Sequence, residues 1–198
     1  MEPNWHSDHA LLSYVIHVVD RLRSRQGEGE PPAYLGRTKI QKIVYFLSLI
    51  GVPNTYRFLL HRFGPYSTEI QDDLDRLVSF EILLDESGDG RRYYDYRSTN
   101  QSNELWRSFR VQIEPFQDRI DPFVEALAKL SDDDLEVVST LVYAYRWLVG
   151  AGNHEPSKTQ ILAKFQTYKK DKFPPDRVES AYEVLAKAGF LPSETSAS

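Results

Sequence analysis

The sequence predicts a mainly α-helical protein with a winged-helix-like N-terminal module, a β-hairpin wing and a helical C-terminal module. Three observations predict this class. Apolar residues recur at helical spacing through most of the 198-residue chain. Two strand-like segments flank a Gly-rich turn at residues 87–90. Residues 1–100 run in the order helix, helix, extended segment, helix, hairpin, which is the order of a winged helix.

The first two helices are predicted from their apolar spacing. Residues 6–23 form an amphipathic helix with Ser7 or Asp8 as its N-cap. Residues 24–33 contain two glycines and two prolines and are predicted to be a loop. Residues 38–49 form the second helix, which Gly51 and Pro53 end. Its predicted core stripe follows the 3.6-residue period: Ile40, Ile43, Val44, Leu47 and Ile50.

The rest of the N-terminal module alternates extended and helical segments. Residues 56–63 are rich in β-forming side chains and are predicted to be extended. The Gly64–Pro65 turn leads to Ser67, which is the expected cap of a helix over 68–80. Residues 82–85 and 91–97 are the predicted strands of the hairpin. These elements define a domain over 1–100.

Residues 101–192 are predicted to be a helical module, followed by a disordered tail over 193–198. The predicted helices cover 102–117, 121–130, 131–150, 158–170 and 176–188. Asp121 with Pro122, Ser131 and Ser157 are the expected helix starts. The last helix also repeats the helix at 68–80, Ile70 matching Val178 and Leu77 matching Leu185. Either the second module is a degenerate winged helix, or two amphipathic helices match by their shared period.

Composition limits the function classes. The chain has no Cys, so it has no disulfide, no thiolate metal site and no Cys nucleophile. It has no apolar run of about 18 residues and no secretory leader. We therefore expect no membrane span, and we expect a cytoplasmic location. Its net charge of −5 argues against indiscriminate coating of nucleic acid.

No catalytic constellation is evident, and we expect neither an enzyme nor a cofactor. The five His residues are scattered. His6 and His9 lie one turn apart, but the sequence indicates no third ligand, so they are expected to be solvated and no metal is predicted. Residues 132–134 are three Asp at a helix start, where capping accounts for them.

One stretch of this acidic chain is free of acidic residues. Residues 31–68 contain no Asp or Glu but five Lys and Arg. On the helix at 38–49, Gln41 and Tyr45 fall off the predicted core stripe, beside Lys42. Arginine with tyrosine is typical of protein interfaces. We therefore expect this face to bind an acidic partner protein, with self-association as an alternative. The predicted partner-binding residues are Arg37, Lys39, Gln41, Lys42, Tyr45, Arg62 and Tyr66.

A DNA-binding regulator is the alternative. In a helix-turn-helix the second helix enters the major groove. Here that helix, 68–80, carries four carboxylates and one arginine, which disfavours docking against phosphates. Lys39, Lys42, Arg91 and Arg92 are the side chains that could contact phosphates. They could equally be solvated charges that balance the acidic helix.

Two sequence blocks carry a resemblance to a known family. GRTKIQKIVYF at 36–46 and FGPYSTEI at 63–70 resemble the YwgA-like bacterial and archaeal proteins. More distantly, they are similar to the Panacea domain of phage-associated proteins and antitoxins. The resemblance implies a winged-helix-like fold and no catalytic residues. The Panacea relatives imply binding of a partner protein, such as a toxin or a phage-defence effector.

Overall fold

Helices make up most of residues 3–27, 34–87 and 94–193, which a computed structural model describes. The mainly α-helical class is therefore confirmed. The chain forms two compact units. Unit 1 comprises residues 1–59 and 66–131, and unit 2 comprises residues 60–65 and 132–198. The sequence placed the boundary near residue 100, whereas the helices over 100–128 cluster with the N-terminal elements.

Unit 1 contains six α-helices and one complete strand pair within its described residues. The helices are α1 (Ser7–Arg25), α2 (Arg37–Leu49), α3 (Thr68–Ser79), α4 (Asn100–Ser108), α5 (Arg110–Ile113) and α6 (Gln117–Ala128). Strands β1 (Leu59–His61) and β2 (Gly64–Tyr66) form another pair, most of which belongs to unit 2, because only Leu59 and Tyr66 lie in unit 1. Strands β3 (Leu83–Asp85) and β4 (Tyr96–Ser98) pair antiparallel, with Leu84 opposite Arg97.

Helix α1 is the centre of unit 1. Helices α4 and α6 and strand β4 all pack against it. Residues 8–16 are consequently buried without a break, so burial extends beyond the apolar face that was predicted for this amphipathic helix. Asp8 is among the buried residues, and its Oδ2 accepts hydrogen bonds from the backbone N–H and the hydroxyl of Thr55. The structure places His6, not Ser7 or Asp8, at the N-cap.

A polar cluster joins β4 to α1. The Asp20 carboxylate accepts hydrogen bonds from the N–H and hydroxyl of Ser98 at 2.7 and 2.6 Å. Arg23 pairs with Asp20 and with Asp95 at 2.7 and 2.5 Å. The hairpin strands are thereby fixed to α1 at one end. Residues 88–93, which include most of the predicted turn at 87–90 and the start of the strand predicted at 91–97, lie outside the described part of the chain.

Two predictions for residues 102–130 are wrong in detail. The helix expected over 102–117 is divided into α4, α5 and a 3₁₀ turn at Glu114–Phe116, where Pro115 interrupts the hydrogen bonding. Helix α6 starts at Gln117, so Pro122 lies inside it and Asp121 is not its cap. Asp121 instead faces α1, where it accepts hydrogen bonds from Tyr14 and Arg21 at 2.6 and 2.5 Å.

Unit 2 contains the helices α7 (Asp132–Gly150), α8 (Lys158–Lys169) and α9 (Pro175–Lys187). Helices α8 and α9 both pack against α7. Ser157 caps α8 as predicted, accepting a hydrogen bond from the N–H of Gln160. A buried ion pair joins Lys169 to Glu136 at 2.9 Å. No strand follows α9 up to residue 193, and the predicted tail lies almost wholly outside the described residues.

Among the described helices, none combines the length and apolar character that crossing a bilayer requires. The cytoplasmic location stays a prediction.

Candidate functional site

Arg37 is held in place at the start of α2 by three side chains of unit 1. Its guanidinium lies 3.7 Å from the ring centroid of Tyr94, and its Nε donates a hydrogen bond to the Tyr96 hydroxyl at 2.7 Å. It also forms an ion pair with Asp75 on α3. Burial alone would lower the pKa of Arg37, but Tyr96 and Asp75 hold it above its usual value. The guanidinium is therefore a fixed, oriented charge.

Tyr66 is another predicted site residue that interacts with α3 in unit 1. Its hydroxyl donates a hydrogen bond to Gln71 on α3. Partial burial and the Asp72 carboxylate raise the pKa of Tyr66, and the positive charge of Arg37 opposes this shift. Tyr94 is 40% exposed. We call Arg37, Tyr66, Asp75 and Tyr94 the Arg37 surface.

Four of the predicted site residues are buried, although the sequence predicts that they are exposed: Lys39, Gln41, Lys42 and Tyr45. Residues 39–47 of α2 are all buried, so this part of the helix has no solvent-facing side. Lys42 is 1% exposed. Tyr45 is 4% exposed and packs edge-on against Phe58, with ring centroids 5.2 Å apart. The predicted core stripe is buried at Ile40, Ile43, Val44 and Leu47. The residues off the stripe are buried as well, because α2 is covered on more than one side.

Lys39 and Gln41 are also buried, and both make structural hydrogen bonds. The Lys39 ammonium donates to the carbonyl oxygens of Ala128 and Leu130, at 3.1 and 2.8 Å, at the end of α6. Carbonyls at a helix C-terminus lack intrahelical partners, and a cation there is favourable. The Gln41 amide bonds both the N–H and the carbonyl of Ser67, at 2.8 Å each.

Arg62 belongs to unit 2 and is exposed. Its guanidinium lies 5.5 Å from the ring centroid of Phe63, which is also exposed. The Arg62 carbonyl accepts a hydrogen bond from the buried Lys169 at 2.7 Å. The backbone here is anchored while the side chain remains available.

The alternative nucleic-acid set gains no support from the described residues. Lys39 and Lys42 are buried. Arg91 and Arg92 lie outside the described part of the chain. The exposed side of α3 presents carboxylates, among them Glu69, Asp72 and Asp75. That side would repel phosphates.

A cluster that sequence reasoning missed lies at the N-terminus of α1. His6, His9 and Asp73 each offer one ligand atom, and these atoms lie within 4.8 Å of one another. His9 is fully buried, so the expectation that both histidines are solvated is wrong for His9. The third residue comes from α3, which sequence spacing could not indicate. The apolar residues three and seven positions on, Leu12 and Ile16, are the sequence signal that His9 faces the core.

The electrostatics of this cluster favour an ionised Asp73. Burial on its own would raise the pKa of the Asp73 carboxyl, but the neighbouring His9 and Tyr56 side chains lower it below the usual value. The Tyr56 hydroxyl donates to Asp73 Oδ2 at 2.9 Å. The cluster therefore presents a carboxylate with one oxygen fixed and the other directed at His9.

Comparison with known proteins finds a distant similarity to a bacterial protein. The chain is 25% identical over 109 residues to the uncharacterized protein YwgA of Bacillus subtilis (strain 168). The matched part is 55% of this chain, which spans only 64% of YwgA. No protein-family model matches the chain. The chain is thus distantly similar to YwgA, which fits a YwgA-like family.

Proposed function

We propose that this chain is a non-catalytic protein-binding module of prokaryotic type that holds a partner protein on its Arg37 surface. One observation carries the proposal. Arg37 is fixed by Tyr96 and Asp75 and stacks on the exposed ring of Tyr94.

Such an arrangement suits protein recognition because its side chains are already ordered. Tyrosine and arginine dominate the energetic hot spots of protein interfaces. Ordering a free, rotamer-rich side chain on binding costs about 0.5–1.5 kcal/mol. Arg37 and Tyr94 are already held against each other, so a partner that packs on them loses less of this energy.

The surface is mixed in charge, which refines the expected partner. Asp75 neutralises Arg37, and Asp72 lies close enough to raise the pKa of Tyr66. Aromatic packing and directed hydrogen bonds are then the main contributions, rather than attraction of a strongly acidic protein. Binding should accordingly depend weakly on salt, since screening acts mainly on unpaired surface charges.

Arg62 with Phe63 is a separate contact surface in this proposal, because it belongs to unit 2. The pair combines an exposed aromatic ring with an exposed guanidinium. It retains the Arg62 contribution that the sequence predicted.

The finer assignments are part of the same proposal. Unit 1 would be a winged-helix-like domain with β3 and β4 as its wing, supported by the order of its elements. The Panacea resemblance supports an antitoxin-like or phage-defence partner. Neighbouring genes test this directly, because a toxin or defence nuclease should be encoded beside this chain. A self-associated homo-oligomer is the competing occupant.

Differential capture tests the function. Cell extract from the source organism is passed over immobilised wild type and over the immobilised variants Arg37→Gln and Tyr94→Ser. The control is Arg110→Gln, which alters an exposed arginine on α5. A partner bound by wild type and control should bind the two surface variants at least about 10-fold more weakly. Equal capture by all four folded proteins would contradict the proposal, as would recovery of this chain alone.

A further inference from the structure

Three potential metal ligands converge at the start of α1. His6 is the N-cap of the helix and His9 lies three residues later, so their rings stand on the same side, 3.9 Å apart. Asp73 of α3 faces them. The nearest ligand atoms of the three residues lie within 4.8 Å of one another.

The buried nitrogen of His9 is the distinctive feature. Its Nε2 lies 3.1 Å from Asp73 Oδ1 but makes no hydrogen bond to a described residue. Buried polar atoms without a hydrogen bond are rare because they cost about 1–3 kcal/mol. A nitrogen and a carboxylate oxygen that are close but not aligned as donor and acceptor are arranged like two ligands of one cation.

We propose that His6, His9 and Asp73 bind a divalent transition-metal ion, for which zinc is the best match. Two imidazole nitrogens and one carboxylate oxygen suit zinc better than magnesium or calcium, which prefer oxygen ligands. Zinc–nitrogen and zinc–oxygen bonds are about 2.0–2.2 Å, which puts tetrahedral neighbours about 3.4 Å apart and octahedral ones about 3.0 Å. The 3.1 Å separation of His9 Nε2 and Asp73 Oδ1 fits this range.

Neighbouring residues prepare the site. The Tyr56 hydroxyl holds Asp73 Oδ2 at 2.9 Å, which orients the carboxylate as outer residues do in metal centres. The Trp5 ring packs edge-on against His9, with centroids 5.0 Å apart. His6 is exposed, so its ring can turn to complete the site and an ion can enter from solvent.

Helix capping is the competing explanation for the position of His9. Metal binding would have to break the hydrogen bond that His9 makes as a cap. The His6 N–H donates to Nδ1 of His9 at 3.3 Å, which puts the ring proton of His9 on Nε2. Coordination through Nε2 moves this proton to Nδ1 through solvent and breaks that bond. The bond is longer than the usual 2.9–3.0 Å and is therefore weak. In the capping arrangement the Nε2–H of His9 faces Asp73 Oδ1 at 3.1 Å but is not aligned for a hydrogen bond.

Metal titration of untagged protein distinguishes the two. Co²⁺ is followed by its visible absorption and Zn²⁺ by calorimetry, for wild type, His6→Ala and Asp73→Asn. The controls are Asp72→Asn and His154→Ala, which remove an exposed carboxylate and an exposed imidazole that lie outside the proposed site. Wild type and controls should bind one ion per chain. Each ligand variant should bind at least about 10-fold more weakly, the loss seen even for outer residues.

Two results would overturn the proposal. One is that wild type binds no Zn²⁺ up to about 1 mM, a concentration that would detect a binding energy of only about 4 kcal/mol. The other is that His6→Ala, which is exposed and keeps the fold by circular dichroism, binds Zn²⁺ as wild type does. A rise in Tm with Zn²⁺ but not Mg²⁺, lost in His6→Ala, is the independent expected readout.

Discussion

Gln41 forms two hydrogen bonds with the backbone of Ser67, each 2.8 Å long. These residues lie in the two sequence blocks that resemble the YwgA-like proteins, one on α2 and one before α3. The amide thus joins the blocks physically. The two blocks therefore occur together because the fold of unit 1 needs both. Their joint presence does not by itself indicate a ligand.

Gln41→Ala should destabilise unit 1 by about 2–6 kcal/mol, because it removes the partner of the buried N–H and of the carbonyl of Ser67, at about 1–3 kcal/mol each. Urea unfolding measures the loss. Amide hydrogen exchange at Ser67 should accelerate in the same variant. Gln112→Ala on the exposed side of α5 is the control and should change neither value.

Lys39→Met should lower the free energy of unfolding by about 1.5–3 kcal/mol, the usual worth of a hydrogen bond to a charged group. The substitution keeps the buried chain length but releases the carbonyls of Ala128 and Leu130. Lys129→Met removes an exposed lysine of the same segment and should be nearly neutral. Equal stabilities of the two variants in urea would show that the Lys39 ammonium contributes nothing.

Glu136→Gln should destabilise unit 2 by about 3–5 kcal/mol, because it leaves the Lys169 ammonium buried without its counter-ion. Burial lowers the pKa of Lys169, an effect that Glu136 opposes. A lowered lysine pKa means that the unfolded chain binds more protons, so stability rises with pH up to the ordinary pKa of 10.5. Without Glu136 the pKa of Lys169 falls further, so the variant gains more stability than wild type as the pH rises, and the defect should shrink towards pH 10.5. The exposed control Glu179→Gln should show no such recovery.

Tyr14 should contribute to stability at neutral pH and lose this contribution in alkali. Its burial and its hydrogen bond to Asp121 raise its pKa. The contribution is complete below about pH 10, the ordinary tyrosine pKa, and is lost as the pH rises through the folded-state value. The stability difference between wild type and Tyr14→Phe should accordingly narrow above about pH 10. A difference that is constant with pH would refute this linkage.

Helical periodicity was sufficient to predict the main elements, because the apolar spacing of α2, α3, α7 and α9 reflects real burial. It could not predict how many sides of a helix are covered. Helix α1 is buried without a break over 8–16 because α4, α6 and β4 all pack on it. A proline after Asp121 is typical of a helix start, yet α6 begins at Gln117 and accommodates Pro122 in its interior.

The same limit explains the errors at the candidate site. Lys39, Gln41, Lys42 and Tyr45 were assigned to an exposed face by their polarity, yet long polar side chains can be buried when backbone groups or aromatic rings receive them. Asp73 was assigned to a solvated acidic helix. Its approach to His9 is a tertiary contact between α1 and α3, which residue spacing along the chain does not indicate.

Site-specific photo-crosslinking tests the proposed interface most directly. A photoreactive phenylalanine analogue is placed at Tyr94, at Tyr66 or at the exposed control position Glu104 on α4, in cells of the source organism. The proposal predicts the same crosslinked partner protein from positions 94 and 66, and its absence from position 104. Crosslinks from 104 that equal those from 94 and 66, or no adduct from either surface position, would contradict it.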